Sequence, residues 1–116
     1  MLVPRCRAWF EKNGRPVFGD GRARLLEEIA RTGSIKGGAE ALGMSYRHAW
    51  AHLDHMEQRL AVKLVERHAG GQSGGGSRLT QEAEALLHAY RVYRKALERE
   101  MRSLWRKAAA KRHPRS

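Results

Sequence analysis

Residues Gly33–Leu60 read GSIKGGAEALGMSYRHAWAHLDHMEQRL. Ser34 can cap a short helix from Ile35 to Leu42, because Ile35, Ala39 and Leu42 fall at i, i+4, i+7 and make one apolar face. Gly37 and Gly38 lie inside it at a propensity cost of about 1 kcal/mol each relative to Ala. Close packing against a neighbouring backbone accounts for Gly38; for Gly37, packing and an approach to a phosphate backbone both remain open. Gly43 can take the left-handed conformation that ends this helix, and Ser45 can cap a longer one from Tyr46 to Leu60. At about 100° per residue, Tyr46, Ala49, Trp50, Leu53, Met56 and Leu60 share one arc, which is the core side. Arg47, His48, Ala51, His52, Asp54 and His55 share the opposite arc. Two helices joined by so short a turn have the layout of a helix-turn-helix, whose second helix is the one that reads a DNA groove.

The flanking sequence can be read as what holds and extends this unit. Arg5 to Gly19 predicts a β-hairpin around Asn13-Gly14, a pair suited to a type I′ turn, with Trp9 and Phe18 as its anchors on the helices. Asp20 is placed to cap a helix over 21–32 whose stripe is Leu25, Leu26 and Ile29, with Arg22, Arg24 and Arg31 away from it. After the central unit, Leu64 to His68 predicts a strand, 69–77 (AGGQSGGGS) a loop, and Arg78-Leu79 a returning strand. Thr80 then caps a final helix reaching about Ala110. Its apolar residues, among them Leu86, Tyr90, Tyr93, Leu97, Met101 and Leu104, recur mostly in steps of three and four, as in a coiled-coil seam. A helix this long on so small a domain is expected to pair with a second copy. The expected fold is mainly α (α+β): a winged helix-turn-helix over 1–80 with its N-terminal hairpin, a dimerisation helix over 81–110, and a disordered basic tail over 111–116.

Composition narrows the partner. The chain has 116 residues, enough for one modest core, and carries a net charge of +11 from 23 Lys and Arg against 12 Asp and Glu. Such a field favours polyanions, nucleic acid first and anionic membrane second. The single Cys6 cannot form an internal disulfide, and neither a signal-peptide run nor a membrane span is visible, so a cytoplasmic protein with no membrane partner is expected.

Candidate chemistry is thin. His48, His52 and His55 line one helix face at i, i+4, i+7 and could suggest a metal site. No cysteine or second carboxylate completes a shell, and the same face is the one a reading helix would present, so no metal is expected. The glycine-rich loop lacks the Lys-Ser/Thr step of a phosphate-binding loop, since Ser77-Arg78 follows Gly76. It suits a flexible wing instead, with Arg67 and Arg78 at its stems, and Lys36, as contacts to the nucleic-acid backbone. No nucleophile–base constellation is present, and no enzymatic activity is expected. Two other classes stay open on the residues alone: an interaction module pairing through its last helix, and a metal-switched DNA binder.

Asp20-Gly21-Arg22 with Leu25-Leu26, Gly33-Ser34-Ile35, Ala39, Ala41-Leu42-Gly43-Met44-Ser45-Tyr46, Ala49-Trp50, Leu64-Val65-Glu66-Arg67, the glycine-rich loop and Arg78-Leu79-Thr80 together resemble the N-terminal domain of ModE-type molybdate-responsive regulators. The likeness runs from about Arg15 to Leu97 and extends more loosely to LysR-type regulators. It implies a homodimeric bacterial transcription regulator that binds double-stranded DNA. The helix after the wing would support dimerisation, and the third helix would enter the major groove of a palindromic operator. Carried over, the base-reading residues would be Ser45, Arg47, His48, Ala51 and His52. Longer members of that family continue into oxyanion-binding domains. This sequence runs to Ser116 without them, so neither molybdate nor tungstate is expected as a cofactor, and a separate sensor protein is a candidate partner.

Overall fold

The computed structural model describes residues 1–68 and 76–111. The order is β1 (Trp9–Lys12), β2 (Arg15–Gly19), α1 (Asp20–Thr32), α2 (Ile35–Ala41), α3 (Tyr46–Leu60), β3 (Val65–His68), β4 (Gly76–Leu79) and α4 (Gln81–Lys111). The winged helix-turn-helix read from the sequence is the fold found. The loop tip 69–75 and the tail 112–116, expected to be mobile and disordered respectively, lie outside the described residues.

The hairpin turns on Asn13 (φ 55°) and Gly14 (φ 78°), both in the positive-φ region that a type I′ turn requires. Its antiparallel register is Trp9↔Gly19, Phe10↔Phe18, Glu11↔Pro16 and Lys12↔Arg15, with a bulge that leaves Val17 without a partner. The bulge buries Val17 and Phe18 in succession and turns Phe10, not Trp9, toward the helices. Trp9 was expected as an anchor; it is 55% exposed, its indole N–H donating to Glu11 at 2.9 Å. Phe10 and Phe18 both pack on Tyr90 of α4, at 5.6 Å and 5.3 Å between ring centroids in edge-to-face geometry.

α1 begins one residue earlier than expected. Gly19 occupies the N-cap position with no side-chain cap, and Asp20 lies in the first turn. The Asp20 carboxylate accepts instead from the Tyr90 hydroxyl and from Arg94, so it bonds α1 to α4 across the chain. Gly33 ends α1 in the left-handed region (φ 81°), its N–H returning to the Ile29 carbonyl at 2.8 Å. Ser34 then caps α2 by accepting from the Gly37 N–H at 2.8 Å, as its position predicts. Gly38 is where the two helices meet. A Cβ there would lie 2.8 Å from Ile29 Cγ1 and 3.0 Å from the Ile29 nitrogen. At Gly37 it would meet Thr32 and Ser34 side-chain atoms at 2.8–2.9 Å, so local packing answers the question the sequence left open there.

One core joins these parts: Phe18, Leu25, Leu26, Ile29, Ile35, Ala39, Ala49, Leu53, Met56, Leu64, Ala83, Leu87 and Tyr90. The end of α3, the wing and the start of α4 are bonded together beside it. The Glu57 carboxylate accepts from the N–H groups of Leu64 and Val65 at 2.8 Å and 3.3 Å. The Thr80 hydroxyl donates to the Lys63 carbonyl at 2.7 Å and accepts from the Ala83 N–H at 3.1 Å, which makes it the cap of α4. β4 docks on the α1–α2 turn through a 2.8 Å bond from the Ser77 N–H to the Gly33 carbonyl, where a Cβ on Gly76 would also lie 2.8 Å from that oxygen. Among the described residues every buried side-chain polar atom has a partner, and no helix is long and apolar enough to cross a membrane.

α4 has 31 residues and stretches the molecule to 71 × 31 × 23 Å. Only Ala83, Leu87 and Tyr90 of this helix are buried, all in its first half. Gly38→Ala is expected to destabilise the fold by about 1–3 kcal/mol through overpacking at Ile29. Gly21→Ala, where a Cβ meets nothing within 4 Å, is expected to be neutral or to stabilise by up to about 1 kcal/mol. Denaturant midpoints of the two variants check the pair; equal effects would contradict the tight crossing.

Candidate nucleic-acid interface

α3 is carried outward by the turn at Gly43 (φ 69°) and is started by Ser45, whose hydroxyl accepts from the His48 N–H at 3.0 Å. Ala49, Leu53 and Met56 fix its inner face. Of the residues expected to read bases, Ser45, Arg47, His48 and Ala51 are exposed, with the Ser45 oxygen engaged in the cap, and His52 is half-buried. His48 stacks on His52 with ring centroids 4.8 Å apart and planes within 11°.

His52 and His55 are not simply solvated. Arg22 of α1 reaches under α3, where its Nε donates to His52 Nδ1 at 3.2 Å and its Nη1 lies 2.9 Å from His55 Nδ1 and donates to the Val17 carbonyl at 2.6 Å. The sequence reading set Arg22 apart from the stripe of α1. Yet it stands at i−4 and i−7 from Leu26 and Ile29, a spacing that places it on the buried side and was the available signal. Burial lowers the Arg22 pKa. His52 is lowered first by burial, then by the charges of Arg22, His48 and His55; His55 is lowered by desolvation, Arg22 and Arg59, against an opposing pull from Asp54. Among the described residues no three His, Cys, Asp or Glu side chains are grouped to hold a metal ion.

A second cluster ties α3 to the wing. Tyr46 was placed on the core arc, but it is 44% exposed. Standing at the first position of α3, it lies at the rim of the core. Its hydroxyl accepts from the Trp50 indole at 2.7 Å and from the Arg67 guanidinium at 2.6 Å, and Arg67 also lies over the Trp50 ring, 4.7 Å from its centroid. Arg67 therefore stands on β3 in a fixed orientation beside the exposed face of α3. Arg78 on β4 is exposed and pairs loosely with Glu66 at 3.6 Å, a contact of little energetic weight. Lys36 is exposed on α2.

The residues expected at a dimer seam divide in two. Tyr90 is 3% exposed and committed within the subunit to Phe10, Phe18 and Asp20, so it has no surface to offer a second copy. Leu86 is half-buried against the core. Tyr93 is 47% exposed, one side of its ring against Phe10 at 5.5 Å. Leu97 and Met101 are half-buried and Leu104 is 58% exposed, with Val92, which the sequence reading passed over, equally bare at 56%.

Residues 21–84 match the family model of the bacterial regulatory helix-turn-helix proteins of the lysR family, and the chain belongs to that family. It is 38% identical over 87 residues to the molybdenum-pterin-binding protein MopA of Rhodobacter capsulatus, covering 75% of this chain and 33% of that protein. It is 43% identical over 77 residues to the transcriptional regulator ModE of Haemophilus influenzae, covering 66% of this chain and 30% of that one. The chain thus spans about a third of the length of these curated relatives. Among solved structures it superposes on a CbnR_DBD-DNA complex with a TM-score of 0.55 and 27% identity, over 78% of this chain and 94% of that one. It superposes equally, at 21% identity, on full-length LysG of Corynebacterium glutamicum, over 78% of this chain and 29% of that one, which speaks for the fold alone.

The lowered histidines make stability depend on pH. Because the folded pKa of His52 and of His55 lies below the ordinary 6.5, the unfolded chain binds more protons just below that value. Their contribution is fully present above pH 6.5 and is lost as the pH falls through the folded values. Melting temperature is expected to drop on acidification across this window. The drop should be smaller in His52→Gln/His55→Gln; an identical drop in that variant would assign it to other groups.

Proposed function

We propose that this chain is the DNA-binding part of a non-enzymatic transcription regulator that recognises double-stranded DNA sequence-specifically as a homodimer. The observation that carries the reading is the surface around α3. An exposed face, Arg47, His48 and Ala51, lies beside a wing strand whose Arg67 is held in place by Tyr46 and Trp50. The net charge of +11 suits a phosphate backbone. Similarity to a CbnR_DBD-DNA complex and to ModE regulators supports the same reading.

In this account α3 enters the major groove and selects sequence through Ser45, Arg47, His48, Ala51 and His52. Lys36, Arg67 and Arg78 fix register on phosphates. The exposed second half of α4, with Leu97, Met101 and Leu104, supplies the contact between two copies, and Tyr93 borders it. We assign no molybdate or tungstate site to residues 1–116.

Arg47→Ala is expected to cost about 1–3 kcal/mol on a preferred duplex and to relax base selection. Arg78→Ala should weaken all duplexes alike and lower the salt slope by about one. Titrations on preferred and scrambled duplexes separate the two, and unchanged selectivity in Arg47→Ala would remove its reading role. Leu104→Glu is expected to shift the chain toward monomer in sedimentation and to remove the concentration dependence of its melting temperature. A chain that is already monomeric would refute the α4 contact.

A further inference from the structure

We propose that Arg22 is a specificity-setting residue, which locks His52 into the neutral tautomer bearing its proton on Nε2 and so makes it an obligate hydrogen-bond donor that disfavours cytosine at the base it faces. This deepens the proposed function and rests on it. The argument starts from what each group can do. A guanidinium has donors and no acceptor. An imidazole nitrogen bonded to it must therefore present a lone pair. Arg22 Nε meets Nδ1 of His52 at 3.2 Å and Arg22 Nη1 meets Nδ1 of His55 at 2.9 Å, so both rings are deprotonated at Nδ1. A neutral ring deprotonated there carries its hydrogen on Nε2.

Arg22 cannot easily turn away. Its Nη1 also donates to the Val17 carbonyl at the bulge of the hairpin at 2.6 Å, which ties the guanidinium to β2 as well as to α3. The surrounding charges favour the same state. Arg22 itself, His48 and His55 oppose a proton on His52, and Arg59 opposes one on His55 while Asp54 favours it. The stacked His48 ring covers one face of His52 at 4.8 Å and limits its rotation. The ring edge carrying Nε2 is then the edge turned from Arg22.

The consequence is chemical selectivity. In the major groove guanine offers the acceptors O6 and N7, adenine N7 and thymine O4, whereas cytosine offers only an amino donor, so a side chain that can only donate rejects cytosine. A histidine free to exchange tautomers could donate or accept; one fixed by Arg22 can only donate. Arg22 touches no base itself and acts by positioning.

The test uses the full chain labelled with ¹⁵N. Two-bond ¹H–¹⁵N spectra report the protonation of each ring nitrogen, with His52 and His55 assigned from single His→Gln variants. The expected spectrum above pH 6.5 shows both rings unprotonated at Nδ1 and protonated at Nε2. Arg22→Met should give mixed tautomers and reduce discrimination against cytosine at one position of each half-site by roughly threefold to tenfold. Arg22→Lys, which keeps a cation and a donor, should retain part of both signatures and serves if the Met variant does not fold. A proton on Nδ1 of His52 in the wild-type chain overturns the proposal. So does unchanged rejection of cytosine in Arg22→Met, or a loss spread equally over all sequences. A wild-type chain with the expected tautomer that binds no duplex would instead defeat the regulator reading, leaving the ring signature intact.

Discussion

The crossing of α1 and α2 at Gly38 and Ile29 is the constraint on which the remaining geometry depends. Ile29 is fully buried, and there is no room for even a methyl group on the facing residue. That close approach sets where α2 ends. The left-handed Gly43 and the Ser45 cap then launch α3 in a direction that leaves its polar arc outside. The same α1–α2 turn receives the wing, because the Gly33 carbonyl that follows α1 accepts from Ser77 on β4. α3 and the wing are thus referenced to one short piece of backbone.

Around this frame the chain uses polar groups as joints. Glu57 holds the start of the wing to α3, Thr80 holds the start of α4 to the residue before Leu64, and Asp20 holds α1 to Tyr90 and Arg94. They join segments from 7 to 74 residues apart, and the polar groups they take out of water are hydrogen-bonded, which avoids a desolvation penalty of about 1–3 kcal/mol. Arg22 belongs to the same class, but its partners lie on the face proposed for DNA. A structural joint and a recognition surface therefore share side chains there.

Much of the fold was legible. Asn13-Gly14, Ser34, Gly43, Ser45 and Thr80 announce turns and caps through local chemistry, which depends on neighbours a few residues away. What escaped depends on contacts far along the chain. Asp20 has the composition of a cap, yet a tyrosine 70 residues away claims it. Trp9 looked the better anchor than Phe10 until the bulge at Val17 changed which side faces the core. Tyr46 has core periodicity but stands at the rim, where the wing's Arg67 meets its hydroxyl. Arg22 was overlooked because charge outweighed spacing in reading its helix. On α4 a single seam was read across two environments: Tyr90 is spent in the core of its own chain, while Tyr93 and Leu104, with Val92, are exposed.

The central claim, that α3 reads sequence in a two-fold symmetric assembly, is tested most directly by selecting bound duplexes from a random library with the full chain. Two such helices in one dimer should meet major grooves about 34–36 Å apart, or a multiple of one helical turn. The account predicts enrichment of an inverted repeat whose half-sites are centred about 10–10.5 base pairs apart or at a multiple of that spacing. Recovery of duplexes with no common motif, despite binding at low salt, would contradict it and leave only charge-driven attraction.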